Sequence, residues 1–162
     1  MSKEAALTVL HKQVLECKNC GLRQGCRQVV FGEGSPNAGL MFIGEGPGEE
    51  EDKQGRPFVG KAGQLLDKML EACGMERFTH TYIANIVKCR PPQNRVPAPE
   101  ERAACVNYLE AQLEIIRPKI LVLLGATALQ GLIDPQAKIT RERGNWRQWK
   151  GMWAMPVCVK RS

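Results

Sequence analysis

The sequence predicts an α/β fold in three layers, α/β/α, around a central, mostly parallel sheet. Three apolar runs, over 40–43, 81–87 and 120–125, read as core strands, and a segment of helical periodicity follows each of them. Strand and helix alternating in this way imply right-handed crossovers and a parallel sheet covered on both faces. With 162 residues the chain is long enough to bury roughly two-thirds of its unfolded surface in one core. One domain over 1–162 is expected, since no repeat, low-complexity stretch or linker divides the sequence.

In chain order, Leu7, Leu10 and Val14 recur at helical spacing and predict an amphipathic helix from Lys3 to about Glu16. It delivers Cys17-Lys18-Asn19-Cys20-Gly21, a C-x2-C knuckle whose glycine permits the tight turn, with Cys26 shortly after. The stretch 29–34 reads as a short strand or turn ahead of the first core strand. The stripe Leu65, Leu66, Met69, Leu70 and Cys73 predicts a helix over 63–73 packed on the sheet, with Cys73 in the core. Asn85 lies near the end of the second core strand. An asparagine inside an apolar strand either satisfies nearby backbone or turns its amide to a ligand, and residue type alone favours the structural role. Lys88 to Arg95 is a basic, proline-stiffened loop. Pro99 and Glu100 then open a long helix that Pro118 stops, with Cys105, Leu109, Gln112, Leu113 and Ile116 on neighbouring turns. A short helix over 126–133 and a hairpin whose last strand is 153–159 complete the chain.

The loop leaving the first core strand is where chemistry is expected. Gly44-Glu45-Gly46-Pro47-Gly48 lets backbone come close to a ligand, and Gly55-Arg56-Pro57-Phe58-Val59-Gly60 follows it. Five of the eight residues from Glu45 to Asp52 are acidic. Open parallel sheets bind ligands beyond the carboxyl ends of their strands, so acids beside close-packed glycine at this position suggest a site. A solvated acidic turn is the plainer reading of the loop by itself.

The net charge of +6 is unevenly placed, with seven basic residues against two acidic ones from Leu132 to Ser162, a segment suited to a polyanion. No run of about 18 apolar residues and no basic-then-apolar leader is present, so an intracellular, cytoplasmic protein without membrane contact is expected. In a reducing compartment seven cysteines point to metal or redox chemistry rather than to disulfides. By spacing alone zinc and an iron-sulfur centre are nearly equal readings, and Cys26 is interchangeable with any other ligand.

Four features stand together: Cys17-x2-Cys20; Gly44 to Gly48 with Gly-Arg-Pro-Phe-Val-Gly after it; Asn85 with Lys-Cys-Arg-Pro-Pro after it; and Cys89-x15-Cys105. In this order and over nearly the whole chain they resemble the family 4 uracil-DNA glycosylases, the iron-sulfur branch of the uracil-DNA glycosylase superfamily. The resemblance implies a uracil-DNA glycosylase-like fold and a monomer acting on uracil-containing DNA in base excision repair. It implies that Cys17, Cys20, Cys89 and Cys105 ligate one [4Fe-4S] cluster of structural role, with Cys26 as the spare. It also implies that deoxyuridine is rotated out of the stack and its N-glycosidic bond hydrolysed. Phe58 would then stack on the uracil, a contact worth about 1–3 kcal/mol, and Asn85 would read the Watson-Crick edge. Backbone around Gly44, Glu45, Gly46 and Pro47 would approach the base. Glu45 would orient water or stabilise the positive charge growing on the sugar. Glu51 is a weaker candidate, crowding the C5 edge against thymine.

The family's third motif, a His-Pro pair after the last strand, is not in the sequence. After Met155-Pro156 the chain reads Val157-Cys158-Val159-Lys160-Arg161-Ser162, and its two histidines, His11 and His80, lie elsewhere and read as surface or capping residues. The family's terminal helix is missing as well. The expectation is a truncated or altered glycosylase with weakened catalysis, or a catalytically inactive iron-sulfur DNA-binding remnant.

Overall fold

The protein is described by a computed structural model covering residues 1–159. Its sheet has six strands in the order β1-β3-β2-β4-β6-β5. β2 (Leu40–Gly44), β3 (Thr81–Asn85), β4 (Ile120–Leu124) and β6 (Met152–Val157) run parallel, while β1 (Glu33–Gly34) and β5 (Arg147–Trp149) pair antiparallel at the two edges. The expected mostly parallel sheet is therefore present, and the stretch 29–34 contributes an edge strand.

On one face lie α1 (Lys3–Leu15), α6 (Pro99–Ile116) and α7 (Ala126–Leu132). Leu7, Leu10 and Val14 of α1 meet Leu109, Leu113 and Ile116 of α6 over Met41, Ile43, Leu121 and Leu123. The other face is thinner. There α4 (Lys61–Ala72) sets Leu66 and Leu70 on Phe42 and Ile83. Alternation along β4 follows from this asymmetry: Leu121 and Leu123 are fully buried, whereas Ile120, Val122 and Leu124 remain half-buried.

Two expectations about this region need correction. Cys73 is not in the core but caps the end of α4 and is exposed, and Leu65 and Met69 are also exposed. The apolar arc of α4 is wider than the patch of β2 and β3 beneath it, so only Gly63, Leu66 and Leu70 are buried. The acids after Gly48 are not on a loop either. They open a helix, α3 (Glu49–Gln54), whose first turn holds Glu49, Glu50, Glu51 and Asp52, where carboxylates oppose the positive end of the dipole. Asp52 is buried and accepts from the backbone N–H of Arg27 at 2.9 Å.

The short helices α2 (Leu22–Gly25), α5 (Arg77–His80) and α8 (Ile139–Glu142) punctuate the connections. His11 stacks on Phe31 with ring centroids 4.5 Å apart, and His80 Nδ1 accepts from the Glu76 N–H at 3.0 Å. Residues 160–162, the end of the segment in which the His-Pro pair was sought, lie outside the described residues.

Candidate active site and thiol recess

β2, β3 and β4 end side by side, because Gly44 pairs with Asn85 and Ile43 with Leu123. The loops beyond those ends line an open cleft of about 770 Å³. Gly44, Glu45, Gly46, Pro47, Phe58 and Asn85 all line it. Gly44 forms the floor. A Cβ there would stand 2.5 Å from Asn85 Oδ1 and 2.6 Å from the Phe58 ring, so only glycine lets both side chains reach one spot. At Gly46 a Cβ would meet the Val87 side chain at 2.7 Å.

Asn85 is 2% exposed, and its Oδ1 has no hydrogen-bond partner among the described residues. A buried acceptor left unpaired costs about 1–3 kcal/mol. The structural role favoured by residue type does not fit that oxygen, since it satisfies no backbone donor. The main-chain carbonyl of Asn85 is held separately, accepting from Lys88 Nζ at 3.0 Å.

Glu45 is half-buried, and its Oε2 accepts from Thr127 Oγ1 at 2.6 Å. Sequence reasoning missed Thr127. The signal for it was its place, two residues past Gly125 at the carboxyl end of β4. Glu51 is committed to the backbone: Oε1 accepts from Gly48 N–H at 2.9 Å, and Oε2 from Val59 and Gly60 N–H at 2.9 and 2.7 Å. It ties the two glycine-rich loops together rather than presenting a free carboxylate. Phe58 has a φ of +51°, the left-handed region that bulky residues avoid. Such a backbone costs on the order of 1–3 kcal/mol and persists only where its surroundings over-determine it.

A second concavity lies between α1, α6 and the segment after β3. Cys17, Cys20, Cys89 and Cys105 all line it, together with Lys88 and Tyr108. Cys26 is outside that lining, and its Sγ meets the guanidinium and carbonyl of Arg23. Burial pushes the Cys89 and Cys105 thiols up, and the neighbouring Cys26 adds to the shift at Cys89.

Backbone N–H groups point at two of the sulfurs, from Asn19 to Cys17 Sγ at 3.4 Å and from Lys88 to Cys105 Sγ at 3.3 Å. Lys88 is 1% exposed, and its ammonium donates only to neutral oxygens, of Asn85 and of Gln112 Oε1 at 2.6 Å. Burial lowers its pKa to about 8. Sulfur-directed N–H donors and a buried cation that no carboxylate among the described residues pairs with fit an anionic thiolate-held centre. Among the described residues no three cysteine, histidine or acidic side chains are gathered closely enough to hold one metal ion.

Residues 31–158 match the family described as the uracil DNA glycosylase superfamily. The chain is 49% identical to a type-4 uracil-DNA glycosylase of Thermotoga maritima, over 93% of this chain and 78% of that protein. It is 46% identical to a type-4 uracil-DNA glycosylase of Sulfurisphaera tokodaii, over 90% of this chain and 68% of the relative. A type-5 uracil-DNA glycosylase of Thermus thermophilus is more distant, 33% identical over 64% of this chain and 53% of its own length.

Proposed function

Because this chain belongs to the uracil DNA glycosylase superfamily, and within it to the type-4 uracil-DNA glycosylases, we propose that it removes uracil from DNA. The substrate is deoxyuridine rotated out of the stack into the cleft, and the reaction is hydrolysis of its N-glycosidic bond. The observation that carries the reading is the buried, unpartnered Asn85 Oδ1 beside Phe58 on a glycine floor. Uracil supplies the missing donor. Its N3–H pairs with Asn85 Oδ1 while the Asn85 amide N–H donates to O4. Cytosine has an acceptor at N3 and an amine at position 4, so it would leave buried groups facing like groups. Phe58 covers the base, and the absence of a side chain at Gly44 lets the Phe58 ring and Asn85 Oδ1 stand side by side to meet it.

As the bond between the sugar C1′ and N1 breaks, its electron pair leaves with uracil and positive charge grows on the sugar. Glu45 stabilises that charge and orients the water whose oxygen bonds to C1′; the water proton passes to the departing base or to solvent. The hydrogen bond from Thr127 holds the Glu45 carboxylate in place. Backbone amides of Gly46 and its neighbours approach the base edge.

Cys17, Cys20, Cys89 and Cys105 would hold one [4Fe-4S] cluster, whose contribution is to cross-link α1, the segment after β3 and α6. A single zinc ion would draw its thiolates close, each about 2.3 Å from the metal, whereas a cluster spreads them over separate irons. What supports one shared centre is that these four cysteines line the same recess, and Cys26 is not in that lining. The loop after Cys89, with Arg90 and Arg95, would meet phosphate. The enzyme is proposed to act as a monomer inside the cell; no helix among the described residues is long and apolar enough to cross a membrane.

The test mixes excess iron-loaded protein with a single-stranded oligonucleotide carrying one uracil and counts alkali-labile sites in a single turnover. The expected result is cleavage at uracil, none on a uracil-free strand, and loss of product in Glu45→Ala and Asn85→Ala. No product from folded, iron-loaded protein would overturn the proposal.

A further inference from the structure

We propose that Arg77 is a positioning residue for base recognition: its guanidinium holds the Phe58 backbone in the left-handed conformation that aims the ring at uracil. The inference rests on the proposed stacking of Phe58 on the base. Arg77 opens α5, far from the glycine loops in sequence, and is 6% exposed. Its Nη2 donates to the Phe58 carbonyl at 2.6 Å and its Nη1 to the Pro57 carbonyl at 3.0 Å. Two carboxylates hold the guanidinium itself. Asp67 of α4 accepts from Nε at 2.8 Å, and Glu33 of β1 accepts from Nη1 at 2.8 Å. Glu33 also takes both Nε and Nη2 of Arg56 at 2.9 Å, so the residues on either side of Pro57 are tied to one ionic cluster.

The peptide between Phe58 and Val59 is consequently gripped from both sides. Arg77 takes its carbonyl and Glu51 takes its N–H. Gly63 lies under the same carbonyl, where any Cβ would overlap it. Phe58 has no freedom to relax to an ordinary φ while these partners stand, and its ring stays against Gly44 beside Asn85 Oδ1. Arginine suits the task because its planar fork presents several donors in fixed directions, whereas lysine offers one compact ammonium that cannot serve two carbonyls and two carboxylates at once. Stability alone does not explain why the donors converge on the two carbonyls flanking the strained residue.

The experiment measures binding of the full chain by fluorescence anisotropy to two single-stranded oligonucleotides. One carries 2′-fluoro-2′-deoxyuridine, whose electron-withdrawing fluorine suppresses bond cleavage, and the other thymidine at the same position. The readout is the Kd for the thymidine strand divided by the Kd for the 2′-fluoro-2′-deoxyuridine strand, which is larger the more strongly uracil is selected. Phe58→Ala is expected to lower this ratio by about fivefold to 150-fold, the range of a base-stacking contact. Arg77→Lys is expected to lower it by a comparable factor, and to add nothing in the Phe58→Ala background. Asp67→Asn, which frees one side of the guanidinium, is a milder variant expected to give a smaller loss in the same direction, and it serves if Arg77→Lys does not fold. A ratio unchanged by Arg77→Lys, or by Asp67→Asn in its place, would overturn the positioning role while leaving the stacking role intact. So would a loss that multiplies with that of Phe58→Ala. A ratio unchanged by Phe58→Ala itself would overturn the stacking role, and the inference with it.

Discussion

The cleft and the thiol recess flank one short stretch of chain, Asn85 to Cys89, and are built in opposite ways. In the cleft a buried amide oxygen has no partner among the described residues and a phenylalanine sits in strained backbone. The recess is lined by sulfur, with N–H donors already aimed at two of the atoms. The cleft holds energy that a ligand releases, so its residues should weigh on activity more than on stability. The recess joins segments distant in sequence, so its residues should weigh on stability first. Lys88 stands between them, its backbone on Cys105 and its ammonium on the Asn85 carbonyl.

Four substitutions would break or sharpen this contrast. The largest effect is expected for Cys89→Ala. A cross-link that closes a loop of the length between Cys20 and Cys89 stabilises a chain by ~4 kcal/mol. Its loss should lower the melting temperature by about 8–16 °C and remove iron and visible absorption together; calorimetry and an iron assay check this, and an unchanged melt would make the recess an ordinary part of the core. Asn85→Ala should do the reverse. It removes an unsatisfied buried group, so the melting temperature holds or rises, while kcat/KM on uracil-containing DNA falls by roughly a hundred- to thousandfold. A clear drop in stability without loss of rate would return Asn85 to a structural role.

Thr127→Val deletes a hydrogen bond to a carboxylate, an interaction worth about 1.5–3 kcal/mol. A loss of roughly tenfold to a hundredfold is expected in the single-turnover rate, with substrate affinity preserved. An equal change in affinity would mean that Thr127 binds DNA instead of holding Glu45. The smallest effect belongs to Cys26→Ala. Iron content should be unchanged and the melting temperature should move by less than about 4 °C, whereas loss of iron would bring Cys26 into the ligand set.

The elements that sequence made legible are those governed by nearby residues. The apolar run at 120–124 became a strand because each residue favours one, and Pro99 began α6 because its missing N–H is no loss there. Gly44 and Asn85 were each visible at the end of a strand, but residue type favoured a structural role for Asn85 and only the resemblance joined the two; parallel register brings those ends together. Cys73 misled for a reason of the same kind. Helical spacing says which residues share a stripe of α4, but the narrow strand pair beneath decides how much of that stripe is covered.

Local chemistry along the chain thus determined the α/β class, the order of elements, the C-x2-C knuckle and the loops from which a site is made. Propensity, periodicity and turn residues act over a few positions and are written in order. Tertiary structure alone decided that Thr127 meets Glu45 across 82 positions, that Arg77 reaches back 19 to the Phe58 carbonyl, and that Asn85 Oδ1 is left without a partner among the described residues. Those outcomes depend on which surfaces the packed sheet brings face to face, and no spacing within a single segment encodes a contact whose other half lies on a different strand or helix.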